Sequence, residues 1–322
     1  MALPGEFSLI ARHFRQLAGP GSLDLSDDAA VFDPPPGRQL VAAADAMVEG
    51  VHFLPDDPPE TIGAKLLRVN LSDLAAMGAA PLGYLLTVAL PRGTPEEWIA
   101  AFAAGLAADG ERFGVHALGG DTVSTPGPAT FSLTILGTVA PGAALRRTGA
   151  RPGDRVWVSG TLGDGALGLR VLRGEAAPDA AGHLARRYHL PEPRLALGAA
   201  LAGVARAAMD VSDGLVQDLG HLCRAAGCGA AVEAAALPLS DAARAAVEAD
   251  PALLSLALSG GDDYELLFAA PPERSGEVLA RAAAAGTAVT PIGAFVEGPP
   301  AVVARGADGA PVPAQQGGWS HF

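Results

Sequence analysis

The sequence predicts an α/β protein (α+β mixed) organised as two domains. Three observations carry this expectation. Helix-period and strand-period segments alternate along the whole chain. The 322 residues exceed what one ordinary core needs. A Gly/Pro/Arg-rich stretch at 141–154, "PGAALRRTGARPGD", separates two such alternating halves.

The elements follow in order. "EFSLIARHFRQLA" spaces Phe7, Ile10, Phe14 and Leu17 as one face of an amphipathic helix. "AAVF" and "QLVAAAD" read as short buried strands around the prolines at 34–36. "PPETIGAKLLRVNLSDLAAMG" opens with prolines and an acid and stops at Gly78, as a helix does. "LGYLLTVAL" is a strand. "TPEEWIAAFAAGLAADGERFG" is a helix with Thr94 as cap and Pro95 at its first position. "TFSLTILGTV" is a further strand. The second half continues with strand "RVWVSG", helices over 163–206, a strand ending at Asp210 and a helix over 213–226. Strand "AAVEAA", helices over 240–257, strand "YELLFAA", a helix over 273–285 and strands near 288–296 and 301–304 complete it.

Composition narrows the function. Apolar residues make up 49% of the chain and charged residues 18%, so a large core is available. The formal net charge of −13 argues against a general nucleic-acid binder, which needs a basic face. The start lacks a basic segment followed by an apolar one, and "LALGAALAGVARAAM" is too short and too interrupted to span a bilayer. Cys223 and Cys228 make no metal framework and read as buried thiols. Together these predict a cytoplasmic protein with no membrane partner.

The chemistry lies in the acids. Asp27, Asp28, Asp45, Asp73, Asp121, Asp210, Asp213, Asp262 and Asp263 fall at element ends or inside apolar runs. Each alone reads as a cap or a turn residue. As a set they demand a counter-charge, since two carboxylates about 4 Å apart repel by roughly 4 kcal/mol at an effective dielectric of 20. The chain has a single lysine, Lys65, so a cation is the strongest candidate. Oxygen ligands select a hard ion, Mg²⁺ or Ca²⁺, and Mg²⁺ normally completes its shell with water and substrate phosphates. "LGGDT", "LSGGDDYE" and "SGTLGDGALGL" add weak phosphate signals, because their glycines let backbone N–H groups approach a ligand. Walker, protein-kinase, Ser-His-Asp and zinc motifs are absent.

"EFSLIARHF", "SDDAAV", "DAMVEGVHF", "KLLRVNLSDLAAMGAAP", "LGGDT", "RTGARPGD", "DVSDGLVQDL", "SGGDDYELLF" and "GGWSHF" together resemble the thiamine-monophosphate kinase family, in the family's order and from end to end. The resemblance implies ATP- and Mg²⁺-dependent phosphorylation of thiamine monophosphate to thiamine diphosphate. It implies the two-domain fold shared with aminoimidazole-ribonucleotide synthetase. Residues 1–140 would bind ATP and Mg²⁺ and pair into a homodimer, and residues 150–322 would complete the active site. Carried over, Asp28, Asp45, Asp73, Asp121, Asp210 and Asp213 match metal ligands. Gly120, Asp121, Arg147 and Ser212 match nucleotide contacts, and His52, Asp262 and Trp319 match substrate contacts. Four positions depart from the family. Ser26 stands for a glycine, Ala43 and Ala44 for hydroxyl residues, and Asp262 for a glutamate.

The acceptor phosphate is already a competent nucleophile, so no side chain is assigned as acid or base. The expectation is direct in-line, metal-assisted transfer. Rival readings are another ATP-using enzyme of the same fold, such as a purine-synthesis ligase, selenophosphate synthetase or hydrogenase-maturation factor, or a non-catalytic Mg²⁺/nucleotide or Ca²⁺ module. The lack of a reactive N-terminal Cys motif counts against selenophosphate synthetase, and His52 and Trp319 count against the bare module.

Overall fold

The computed structural model describes residues 6–177, 179–306 and 308–312. The described residues form two compact units, one made of those up to 74 with 79–141, the other of 75–78 with those from 142 onward. The segment 142–154 therefore belongs to the second unit and is no free linker. Among the described residues, no helix is long and apolar enough to cross a membrane.

The first unit is one sheet with helices on one face. Its strands are β1 (Gln39–Val48), β2 (Ala80–Pro91), β3 (Ala117–Thr125) and β4 (Thr130–Val139), in the order β1-β4-β2-β3. β4 alternates from Thr130 to Leu136, so Phe131, Leu133 and Ile135 are buried while Ser132 and Thr134 are half-exposed. The buried side packs on α2 (Pro59–Ala76) and α3 (Glu96–Phe113), with the Phe102 and Phe131 rings 4.5 Å apart. Arg68 of α2 and Asp109 of α3 form a buried, two-pronged ion pair at 2.5 and 2.8 Å.

Four local expectations change here. "AAVF" is not a strand: Val31 is largely exposed and the three prolines that follow prevent a ladder. Asp45 does not end its strand, because β1 runs on to Val48. Thr94 does not cap α3; its hydroxyl donates to the Pro91 carbonyl and Pro95 takes the cap position. "LGGDT" is not a turn but the middle of edge strand β3, parallel to β2. The N-terminal helix also breaks up, into α1 (Glu6–Leu9), a π turn at Ile10–Phe14 and a 3₁₀ turn at Arg15–Leu17.

The second unit has a six-stranded sheet, β10-β7-β9-β5-β8-β6. It contains β5 (Arg155–Ser159), β6 (Ala207–Asp210), β7 (Gly229–Glu233), β8 (Leu266–Ala270), β9 (Val289–Val296) and β10 (Val302–Arg305). The continuous apolar run "LLFAA" of β8 is the mark of a strand covered on both faces. Leu267 and Ala269 enter one core and Leu266, Phe268 and Ala270 the other. Helices α4 (Asp164–Leu172), α5 (His183–His189), α6 (Leu195–Leu201), α7 (Leu215–Ala226), α8 (Asp241–Ala249), α9 (Leu254–Ser259) and α10 (Ser275–Ala284) surround it.

Candidate functional site

The first unit carries two separate groups of acids. Asp27 and Asp28 share the wall of a cavity of about 110 Å³ with Gly119, Gly120 and Asp121, opposite the apolar Ile10, Phe14 and Leu17. The chain enters this wall through Leu23, Asp24 and Leu25, three consecutive residues with left-handed backbone (φ 50, 58 and 53°). That costs about 1–2 kcal/mol each for non-glycine residues. Ser26 then has φ −116°, so the turn no longer needs the family's glycine there. Gly120 is required by close approach: a Cβ would stand 1.9 Å from the Leu86 carbonyl oxygen of β2.

Asp45 and Asp73 lie elsewhere. Asp45, Leu133, Leu86 and Gly120 form one row across the four strands. Three strand spacings, about 14 Å, thus separate Asp45 from the Gly120 edge. The Asp45 N–H donates to Asn70 of α2 (3.1 Å), one turn before Asp73, so Asn70 ties these two acids to a common side. Among the described residues no three His, Cys, Asp or Glu side chains gather as a metal cage. Small groups of carboxylates still suit Mg²⁺ chemically, since that ion keeps several positions for water and phosphate oxygens.

His52 sits in the turn after β1. The Val48 N–H donates to its Nδ1 (3.0 Å), so a neutral His52 carries its proton on Nε2. The only lysine, Lys65, donates to the His52 carbonyl (3.2 Å) and helps fix the turn.

In the second unit the predicted residues come together. Asp210 ends β6 beside Leu266 of β8 and is almost fully buried. The loop that follows interlocks with the loop before β8: Asp262 N–H donates to the Ser212 carbonyl (2.9 Å), Tyr264 N–H to Val211 (2.8 Å), and Val211 N–H to Glu265 (2.8 Å). Asp210, Ser212, Asp213 and Asp262 therefore share one rim. Asp262 has φ 68°, a left-handed conformation that a short Asp tolerates better than most residues. The Ala208 N–H donates to the Arg146 carbonyl (2.9 Å), which sets Arg147 beside β6. The pKa of His221 on α7 is lowered, by burial first and then by Arg224 and Arg147, against the pull of Asp213.

The frame under this rim was not visible in the sequence. Glu265 is fully buried and accepts from Ser159 Oγ (2.6 Å), Arg187 (3.0 Å) and both prongs of Arg194 (2.7 and 2.6 Å). Arg187 also donates to the Asp263 carbonyl (2.9 Å). The Asp263 carboxylate accepts the N–H groups of Gly163 (2.7 Å) and Gly165 (3.1 Å) at the start of α4. The third Gly-rich turn is thus occupied by protein and is no open phosphate cradle. Burial pushes the Asp263 pKa up to about 8, against those two N–H groups and Arg187 and with the help of Asp164. Asp218 accepts three backbone N–H groups, from Ser212, Asp213 and Gly214. Burial raises its pKa to about 7, with bonds from Asp213 and Gly214 opposing and the charges of Asp213 and Asp210 adding. Trp319 lies outside the described residues.

Comparison with known proteins decides among the rival readings. Residues 26–139 match the family described as "AIR synthase related protein, N-terminal domain", and residues 151–305 its C-terminal domain counterpart. A thiamine-monophosphate kinase of Caulobacter vibrioides is 49% identical over 303 residues, 92% of this chain and 86% of that protein. One from Escherichia coli K12 is 41% identical over 327 residues, 99% and 98% of the two chains. This chain belongs to the thiamine-monophosphate kinase family. The solved thiamine-monophosphate kinase of Stenotrophomonas maltophilia K279a superposes with TM-score 0.84 at 40% identity, covering 97% of this chain and 99% of that one. A structure described as AaThiL complexed with AMPPCP and TMP gives 0.79 at 32% identity, covering 99% and 97%. The hydrogenase maturation protein HypE in complex with ATP reaches 0.79 at only 21% identity, over 96% of this chain and 94% of that one, so it shares the fold alone.

Proposed function

We propose that this member of the thiamine-monophosphate kinase family transfers the γ-phosphoryl group of ATP to thiamine monophosphate, giving thiamine diphosphate and ADP, the last step in forming that cofactor. The observation that carries the reading is the rim of Asp210, Ser212, Asp213 and Asp262, held by two interlocked loops, in a chain 41–49% identical to curated kinases of this name. The AMPPCP and TMP in the related structure's description supply the two ligand classes.

The transfer is direct and in line, with no phosphoenzyme. Two anions must meet, so charge neutralisation and positioning supply most of the rate. The candidate Mg²⁺ ligands are Asp28, Asp45, Asp73 and Asp121 in the first unit and, taken separately, Asp210 and Asp213 in the second; Mg²⁺ on such carboxylates would neutralise and orient phosphate oxygens. Arg147 pairs with nucleotide phosphate. Gly120 and Asp121 in the first unit, and Ser212 in the second, are the candidate nucleotide contacts. His52 offers Nε2–H as a donor to the substrate, Asp262 contacts it, and Trp319 stacks on its rings. No residue serves as general base, because the acceptor phosphate is ionised at neutral pH.

The protein acts in the cytoplasm as a homodimer. Two buried free thiols, Cys223 and Cys228, fit a reducing compartment. The uncovered face of the first sheet, where Leu40, Leu85 and Val123 stay exposed, supports pairing through that face.

ADP release measured with thiamine monophosphate, with free thiamine and without acceptor tests the reading. Release should depend on thiamine monophosphate and be abolished by Asp73→Asn or Asp210→Asn in folded protein. Release indifferent to the acceptor, or near-normal turnover in both variants, would sink it.

A further inference from the structure

Asp218 does more than fill the core. It lies in the first turn of α7, almost wholly buried. One of its oxygens, Oδ2, accepts from the N–H groups of Ser212 (3.0 Å), Asp213 (3.0 Å) and Gly214 (3.2 Å). Three successive amides pointing at one atom curl the backbone around it, a concave arrangement that turns N–H groups inward. Gly214, with φ 118° and its Cβ position 2.7 Å from the Ser259 backbone, lets the chain close this curl. The loop's outward side is then fixed as well, because the Ser212 carbonyl receives Asp262 N–H. Without Asp218, three backbone donors, that of Gly214 buried and those of Ser212 and Asp213 partly so, would lose their acceptor and the loop would have to rearrange.

We propose that Asp218 is a positioning residue whose carboxylate shapes the 211–214 loop before any ligand arrives, and thereby sets the metal affinity of Asp213 and the aim of Ser212. The proposal rests on the reading of Asp213 as a metal ligand. Partners standing behind a ligand typically change metal affinity or activity about 10–100-fold when removed.

The test uses the full-length chain and Mn²⁺ alone as a stand-in for Mg²⁺, with free Mn²⁺ followed by electron paramagnetic resonance. Asp218→Asn keeps the shape and one acceptor but removes the charge, and should weaken Mn²⁺ binding about tenfold. In the ligand-free protein the amide proton signals of Ser212, Asp213 and Gly214 should move upfield together, as bonds to a carboxylate are lost. The Mg²⁺ concentration for half-maximal turnover should rise by the same factor while the rate at saturating Mg²⁺ changes little. A purely structural role would lower activity equally at every Mg²⁺ concentration, and that result overturns the proposal, as do wild-type Mn²⁺ affinity and unmoved amides in folded Asp218→Asn. If that variant does not fold, Asp218→Glu, which keeps the charge and displaces the oxygen by one methylene, should weaken Mn²⁺ at least threefold by the same outer-partner effect; unchanged affinity there overturns the proposal equally. Mn²⁺ binding and amide positions are read without thiamine monophosphate, so failure here leaves the kinase reading standing, and failure of the kinase reading leaves this result standing.

Discussion

Glu265→Gln is the sharpest test of the frame beneath the second-unit rim. The wild-type side chain is fully buried and faces two guanidinium groups whose side chains are 11% and 20% exposed. Gln preserves the shape and one acceptor for Ser159, Arg187 or Arg194, yet removes the carboxylate that the two largely buried cations share, leaving Arg194 only the charge of Glu192. Removing one partner of a buried ion pair costs about 3–5 kcal/mol. For a unit of this size 1 kcal/mol corresponds to roughly 2–4 °C, so the second unit should melt about 6–20 °C earlier. Scanning calorimetry reads this directly, and two transitions would separate the units. Adding Arg194→Gln should cost less than the sum of the two single changes, because each then removes a charge the other had stranded. A drop below about 2 °C for Glu265→Gln, or strict additivity, would show that the pair does not hold the loop and refute the reasoning from burial.

Other expectations follow from single contacts. Gly120→Ala places a Cβ 1.9 Å from the Leu86 carbonyl, so β3 must part from β2, and loss of the folded first unit should be visible by circular dichroism. Burial is the largest single influence on Asp179 and pushes its pKa up, but the N–H groups of Leu184, His183 and Ala181, with the charge of His183, together outweigh it and hold the pKa below the usual value. Its stabilisation of α5 is therefore complete above about pH 4 and is lost as pH falls through the lowered folded value. Asp179→Ala should cost about 1 kcal/mol in urea titrations at pH 7 and much less near pH 2. The Trp157 indole N–H is buried and has no partner among the described residues, so Trp157→Phe trades lost volume against a relieved donor and should change stability by less than about 1.5 kcal/mol.

The fold was legible where burial imposes a period. β4 alternates because one face meets helices, and β8 is apolar throughout because both faces are covered. β3 was missed because its sequence, "ALGGDTVST", lacks bulky apolar residues: it is an edge strand that Gly120 lets lie against β2. The acids of the second-unit rim were legible as "DVSDGL" and "GGDDYEL", but not what holds them. The part Asp218 plays was not legible, because nothing in a helical repeat says that the amides of residues 212–214 turn back toward it. Glu265 looked like one polar residue in an apolar strand, since its arginines lie 71 and 78 residues away. Spacing reports neighbours along an element; charge pairs across the fold leave no mark in it.

Phosphorus NMR of the protein incubated with Mg²⁺, ATP and thiamine monophosphate follows the phosphoryl transfer itself. The monophosphate signal should decline while a new diphosphate ester and ADP grow in equal amounts. ADP accompanied by free inorganic phosphate, with the thiamine monophosphate signal intact, would contradict it.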